Sequence, residues 1–365
     1  MRRVVQFSTG NVGRHSLAAV IGRPDLKLVG VHAAGPDKIG RDAADLCGHS
    51  EPTGVIATDD IDALIALGPD CVVYTALGET RPMEAVEQMS RFLAAGINVV
   101  GTSMVWLVTP RQADDWLRIP LEQACAAGNS SLYVNGIDPG YSGDTAAYAA
   151  LSLVTRAESV TIKEIFDYGN YDDYEYTGTA MGFGTTPDDD LPMAFQPGVI
   201  TSMFGGLVRN LADRLGVELD EVGQRFEPWY ATERIECTML TVEPGQLAGT
   251  RFAADGLRGG VPVITVEHTT RLTPAAAPDW EYPPEGQSGV HMVIIEGEPR
   301  IEVSTSLSHP VLDVTDAGCV STAARVVNAI DWVCGAPAGL IAAEDIPPTE
   351  LIRGLMWSRA MNFAL

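Results

Sequence analysis

The stretch VVQFSTGNVGRHS, residues 4–16, decides how the rest of the chain is read. Val4 to Phe7 is a largely apolar run and predicts a strand. Ser8, Gly10 and Gly13 follow as a tight turn, and Gly13 to Ile21 has apolar residues at helical spacing. A strand, a glycine turn and a helix start together form an anion site. The turn offers unpaired backbone N–H groups, and the helix dipole favours negative charge. The usual dinucleotide fingerprint is GxGxxG. Here it reads Ser8-Thr9-Gly10-Asn11-Val12-Gly13-Arg14, with serine in the first position. Gly10 would let the backbone approach a pyrophosphate, and Gly13 would let the helix pack close to the strand. The other reading is a structural turn without a ligand.

Outward from this turn, strands and helices alternate. Leu26–His32, Asp70–Thr75, Ile97–Gly101 and Ser131–Asn135 predict strands; Ile61–Leu67, Pro82–Ala95 and Ala113–Ala127 predict helices. That rhythm implies βαβ units and a parallel, doubly wound sheet. After about Asp144 the pattern turns β-rich, with strands expected in 159–169, 233–243, 261–272 and 289–307 and a hairpin turn at Glu296-Gly297-Glu298. One amphipathic helix, Ile200–Leu215, lies among them. The expected fold class is α/β: an N-terminal Rossmann domain over 1–144, with 313–365 packing back on it, and an α+β domain with an open, largely antiparallel sheet over 145–312.

Composition narrows the function. Lys plus Arg number 24 and Asp plus Glu 48, a formal charge of −24. Such a surface repels nucleic-acid backbones and anionic membranes, so neither is an expected partner. Six cysteines are scattered without a CxxC pair. They read as free thiols, and with no apolar segment fit for a signal peptide or span, the chain is expected to be cytoplasmic. The histidines show no metal-ligand spacing, and no metal site is expected. His268, in an alternating strand, is read as a sheet residue.

The second strand bears on the choice of dinucleotide. A carboxylate about twenty residues past the glycines would bind the ribose hydroxyls of NAD. Leu28–Pro36 reads LVGVHAAGP, with Ala33 after the strand end and no acid; Lys38 and Arg41 follow, and Arg14 opens the first helix. This favours NADP, with NAD as the alternative. Lys38 and Arg41 are otherwise solvated loop charges.

In an open α/β sheet the site lies beyond the carboxyl ends of the strands. That selects Thr75-Ala76-Leu77-Gly78, Thr102-Ser103-Met104 and Asn135-Gly136-Ile137-Asp138. Thr75, Ala76 and Leu77 are expected along the cofactor, Thr102 and Ser103 by the nicotinamide, and Asn135 at the next strand end. The hydroxyls alternatively cap the following helices. Candidate catalytic groups are Tyr141, as proton donor to an alkoxide, Asp138, as partner of a cationic substrate, and Tyr168 in the aromatic and acidic stretch 166–184. The opposing readings are a hinge-filling ring, a turn residue before proline, and an interface tyrosine.

FSTGNVGRHS, HAAGPDKIGRDAADLCG (32–48), INVVGTS (97–103), NGIDPGYSGD (135–144) and TAARVVNAIDWVCGAPAG (322–339) together resemble the dihydrodipicolinate-reductase-like oxidoreductases, near 2,4-diaminopentanoate dehydrogenase and the native amine dehydrogenases. The resemblance implies a Rossmann domain, a dimerising second domain, and reversible reduction of a small ketone, aldehyde or imine with NAD(P)H. It also implies an acidic residue in the loop after the INVV strand, placed to bind an ammonium or iminium. Met104 and Val105 stand there instead. The His-His and lysine signature of the dihydrodipicolinate reductases is not visible, so lysine biosynthesis is not expected. An alcohol-forming carbonyl reductase and a non-catalytic NADP(H)-binding sensor therefore stand beside amine formation.

Overall fold

The computed structural model describes residues 1–347. The chain divides into two compact units, Met1–Ile137 with the described residues from Cys319 onward, and Asp138–Gly318. Asp138, Tyr141 and Asp144 thus group with the second unit rather than the first, because the side chains of Asp138 and Tyr141 meet strands of that unit. Residues 348–365, assigned above to the tail, lie outside the described range.

The first unit holds β1 (Arg2–Phe7), α1 (Asn11–Gly22), β2 (Leu26–His32), α2 (Ala43–Cys47), β3 (Ala57–Thr58), α3 (Ile61–Ala66), β4 (Cys71–Tyr74), α4 (Pro82–Ala94), β5 (Asn98–Gly101), α5 (Asp115–Gly128) and β6 (Ser131–Val134). In the second unit are α6 (Ala147–Leu151), β7 (Arg156–Asp167), α7 (Val199–Leu215), β8 (Glu221–Tyr230), β9 (Ile235–Glu236), β10 (Thr241–Val242), β11 (Leu247–Arg258), β12 (Val261–Arg271), β13 (Gly289–Glu298) and β14 (Ile301–Thr305). The chain continues through α8 (Val314–Val333) to β15 (Gly339–Ile341).

The first sheet has the order β15-β6-β5-β4-β1-β2-β3 and every pairing is parallel. Strands buried on both faces need continuous apolar runs, and CVVY and NVVG supply them. Val4, Val73, Val100 and Tyr133 form a core with Val326, Val327, Ile330 and Val333 of α8. The order reverses between β1 and β4, the switch point where such sheets bind ligands.

The second sheet has the order β14-β13-β7-β12-β11-β8. All its pairings are antiparallel except β12 with β7. Two local expectations change. The stretch 233–243 is not one strand but a short ribbon of β9 and β10, interrupted by Cys237 to Leu240. The hairpin turn falls at Pro299-Arg300, not at Glu296-Gly297-Glu298, because β13 continues through Glu298 along β7, with a register shift after Glu296.

Candidate functional site

The turn after β1 is built by one side chain that the sequence reading passed over. Gln6 is fully buried. Its amide nitrogen donates to the Ser8 carbonyl at 2.8 Å and to Thr75 Oγ1 at 2.9 Å. Its amide oxygen accepts from Ser16 Oγ at 2.8 Å. Gln6 therefore ties β1, the glycine turn, α1 and the end of β4 into one network. Thr75 completes it by donating to the Phe7 carbonyl at 3.0 Å. Its hydroxyl is spent inside the protein, so the expected contact with a ribose does not rest on it. Only a polar residue between the apolar Val5 and Phe7 signalled Gln6.

Ser8 takes the left-handed conformation, with φ 76°. That is where the fingerprint usually has glycine, and an L-residue there carries strain. Gly13 has no room for a side chain: a Cβ would lie 2.5 Å from the Ser8 carbonyl oxygen and 2.8 Å from Thr75 Oγ1. Above Gly10 a Cβ would meet nothing within 4 Å. Gly10 is the N-cap of α1, and no side chain caps that helix. Close packing below, open space above and an uncapped helix start fit a pyrophosphate. Asn11, Val12 and Arg14 lie in the first turn of α1. Lys38 reaches this turn: its Nζ donates to the Thr9 carbonyl at 3.1 Å. Ala33 is buried at the end of β2. Just before it, His32 stacks on Phe7 with ring centroids 3.8 Å apart. Burial lowers the His32 pKa to about 4.

The loops after β4 and β5 are joined by Glu79. Its Oε1 accepts from the amides of Met104 at 2.7 Å and Val105 at 3.0 Å. Met104 is left-handed at φ 67°, and these two bonds hold that turn. A Cβ on Gly78 would lie 2.4 Å from Ser103 Oγ and 2.9 Å from Met104 Sδ, so the loops approach more closely than a larger residue would allow. Burial raises the Glu79 pKa against the opposing effect of its backbone donors. The start of the loop after β5 carries no acid of its own, as its sequence shows. Met104 and Val105 carry none themselves, but the neighbouring loop brings a carboxylate onto their backbone. The signal was a lone glutamate just beyond a strand end, in TALGETRP. Ala76 is buried and Leu77 partly buried in that same loop; Thr102 follows β5. Ser103 Oγ is buried without a hydrogen-bond partner. Asn135, at the end of β6, accepts from Arg325 Nε at 2.9 Å.

In the second unit a row of side chains crosses the sheet. The register pairs Phe252 with His268, His268 with Glu164, Glu164 with His291, and His291 with Thr305. Two sequence candidates meet this row. Asp138, with its side chain wholly buried, lies 3.4 Å from His268 Nε2 and 3.8 Å from His291 Nδ1. Tyr168 donates to Glu164 Oε1 at 3.2 Å. Tyr141, the third candidate, faces Thr305 Oγ1 at 3.4 Å. Burial alone would raise the Asp138 pKa, but the adjacent imidazoles of His268 and His291 bring it below the usual carboxylate range. Burial raises Glu164, and it raises Tyr168 well above an ordinary phenol. Burial alone would lower His268, but Asp138, Glu164 and Glu267 together raise it.

The comparisons with known proteins agree with this architecture. Residues 151–361 match the family model of the 2,4-diaminopentanoate dehydrogenase C-terminal domain. An amine dehydrogenase of Streptomyces virginiae is 38% identical over 352 residues, covering 95% of this chain and 96% of that protein. The chain belongs to the amine dehydrogenase family. A 4-hydroxy-tetrahydrodipicolinate reductase of Nostoc is 32% identical over 107 residues, 27% of this chain and 37% of that one. The solved structure of an amine dehydrogenase from Mycobacterium smegmatis superposes with a TM-score of 0.77 at 20% identity, covering 95% of this chain and 96% of that chain. This family member has the two-sheet architecture expected of an oxidoreductase of its kind. No helix among the described residues is long and apolar enough to cross a membrane.

Proposed function

We propose that the chain is an NADP(H)-dependent amine dehydrogenase that interconverts a small ketone or aldehyde, with ammonia, and the corresponding amine. The observation that carries the amine reading is Glu79, a carboxylate of the loop after β4 held against the loop after β5, where the family resemblance calls for an acid. Backbone amides fix its position, and burial keeps its pKa above that of an ordinary carboxyl. A carboxyl group with a raised pKa suits proton exchange with nitrogen. When ionised it stabilises the iminium formed as carbonyl and ammonia condense with loss of water. When protonated it returns a proton to a departing group. Ser103 Oγ, buried and unpartnered, offers a second polar contact at the same loop.

Residues of the glycine turn, Ser8 to Arg14, would hold the pyrophosphate. Ala33 and the strand-end residues Thr75, Ala76, Leu77, Thr102, Ser103 and Asn135 are proposed to border the rest of the cofactor. The nicotinamide would supply or accept the hydride. Lys38, fixed to the Thr9 carbonyl, and the missing acid after β2 support NADP over NAD. A cytoplasmic homodimer formed through the second unit completes the reading; light scattering tests the dimer.

The deciding experiment follows NADPH oxidation with a panel of small ketones and aldehydes, with and without ammonia. Amine product and ammonia-dependent turnover are expected, with Glu79→Gln losing on the order of 10²-fold or more in kcat. Lys38→Ala should raise KM for NADPH by about tenfold and leave NADH unaffected. Alcohol formation independent of ammonia would sink the amine assignment and favour the carbonyl-reductase alternative.

A further inference from the structure

The polar row in the second unit has too few partners. Both carboxylate oxygens of Asp138, both ring nitrogens of His291 and Nε2 of His268 are buried without a hydrogen bond. Asp138 has a side-chain exposure of 0% and His291 of 2%. Buried polar groups are ordinarily satisfied, and a cluster of buried orphans suits a bound ion. Two of these residues, Asp138 and His291, have a third potential ligand beside them in Glu164. One atom each from Asp138, Glu164 and His291 lie within 4.8 Å of one another.

We propose that Asp138, Glu164 and His291 form a binding site for a first-row divalent cation of the zinc class. The spacing supports this. Metal bonds of about 2.1 Å in tetrahedral geometry put neighbouring donors about 3.4 Å apart. His291 Nδ1 is 3.5 Å from Glu164 Oε2 and 3.8 Å from Asp138 Oδ2, slightly wider than a bound ion would leave them and too wide for good hydrogen bonds. Two carboxylates with one imidazole form a mixed O/N set, which suits zinc, iron or manganese better than an all-oxygen calcium site. Three protein ligands leave a coordination position open.

Surrounding groups fit the outer sphere of such a centre. Tyr168 donates to Glu164 Oε1, leaving Oε2 toward His291. His268 lies against Asp138 Oδ1 at 3.4 Å and packs on Phe204 and Phe252. Phe166 packs on His291 with ring centroids 4.8 Å apart. Aromatic walls exclude competing water, and outer partners orient the ligands. A divalent charge also offsets the burial of two carboxylates, which would otherwise be costly. The ligands come from a segment before α6 and from β7 and β13, so no short spacing motif announces them.

The test uses the full chain, stripped with a chelator and titrated with zinc against a chromophoric competitor, with cobalt as a spectroscopic probe. One equivalent of zinc per chain is expected, together with a visible cobalt absorption typical of a low-coordinate O/N site. Glu164→Gln and His291→Gln should each weaken zinc binding by about tenfold or more with unchanged circular dichroism, while His49→Ala on the surface should bind as the parent does. The proposal is overturned if the stripped parent chain takes up no zinc in competition. It is also overturned if the two ligand variants bind zinc like the parent, or if uptake is non-stoichiometric and abolished by salt. Should the variants misfold, the stoichiometry and cobalt spectrum of the parent decide.

Discussion

Replacing Gly13 and Gly10 by alanine, one at a time, separates the two things a glycine turn does. At Gly13 the new methyl would sit 2.5 Å from the Ser8 carbonyl oxygen. Ordinary contact begins near 3.4 Å, so the turn or the helix must move by about 0.9 Å. The Ser8 carbonyl cannot swing aside without losing the bond from Gln6. Overpacking of this kind costs about 1–3 kcal/mol. Both the melting temperature and the affinity for NADPH should therefore fall, the affinity by about thirtyfold if 2 kcal/mol of the cost is felt in the complex. At Gly10 the outcome differs. Its φ of −76° suits alanine, and the methyl would project into open space. Gly10→Ala should leave melting unchanged and still weaken NADPH, because the methyl occupies the approach of the pyrophosphate. Protein fluorescence titration with NADPH and thermal melting of the same samples read both quantities. If Gly10→Ala bound NADPH like the parent, the turn would not be the cofactor cradle, whatever Gly13→Ala did.

Three further outcomes are expected. Gln6→Leu strips Ser8, Thr75 and Ser16 of a shared partner and should lower stability by about 2–4 kcal/mol in urea unfolding; a loss under about 0.5 kcal/mol would contradict the network's role. Ser8→Gly relieves a left-handed serine and should raise stability by about 0.5–1 kcal/mol, read as a higher melting temperature. The His32 pKa falls from 6.5 to about 4 chiefly through burial, so between those pH values the unfolded chain binds the extra proton and stability drops as pH falls. The full loss is about 3 kcal/mol, and His32→Phe, which keeps the stack on Phe7, should flatten that part of the stability–pH curve.

Most of the parallel sheet was legible because its longer strands are apolar runs separated by helices, whereas β3 and β15 are only two and three residues long. CVVY and NVVG admit few other readings. The second sheet was harder. β11, LAGTRFAADGLR, is interrupted by small residues and does not alternate cleanly; β8 carries Gly223 and Pro228, which only an edge position tolerates. Both strands escaped notice because partner strands, not local propensity, hold them extended. The site divided in the same way. Gly10, Gly13 and the strand ends follow from local pattern, whereas Glu79 acts on a backbone twenty-five residues away. Asp138 and Tyr168 stood out locally, but Glu164, His268 and His291 become neighbours only when three strands fall into register. His268 looked like an ordinary sheet residue because its chemistry depends on Asp138, which no periodicity connects to it.

The clamp that Glu79 makes on Met104 and Val105 has a bearing on engineering. Loops at the strand ends of such enzymes are natural targets for swapping between relatives to change selectivity. Here the loop after β4 supplies the acceptor and the loop after β5 supplies the donors, while Gly78 provides the clearance between them. Neither is a transplantable module. A graft of 75–81 without 102–105 would leave Met104 in a left-handed turn with nothing to hold it, and the reverse graft would bury a carboxylate facing an unmatched backbone. The smallest exchangeable piece is the pair.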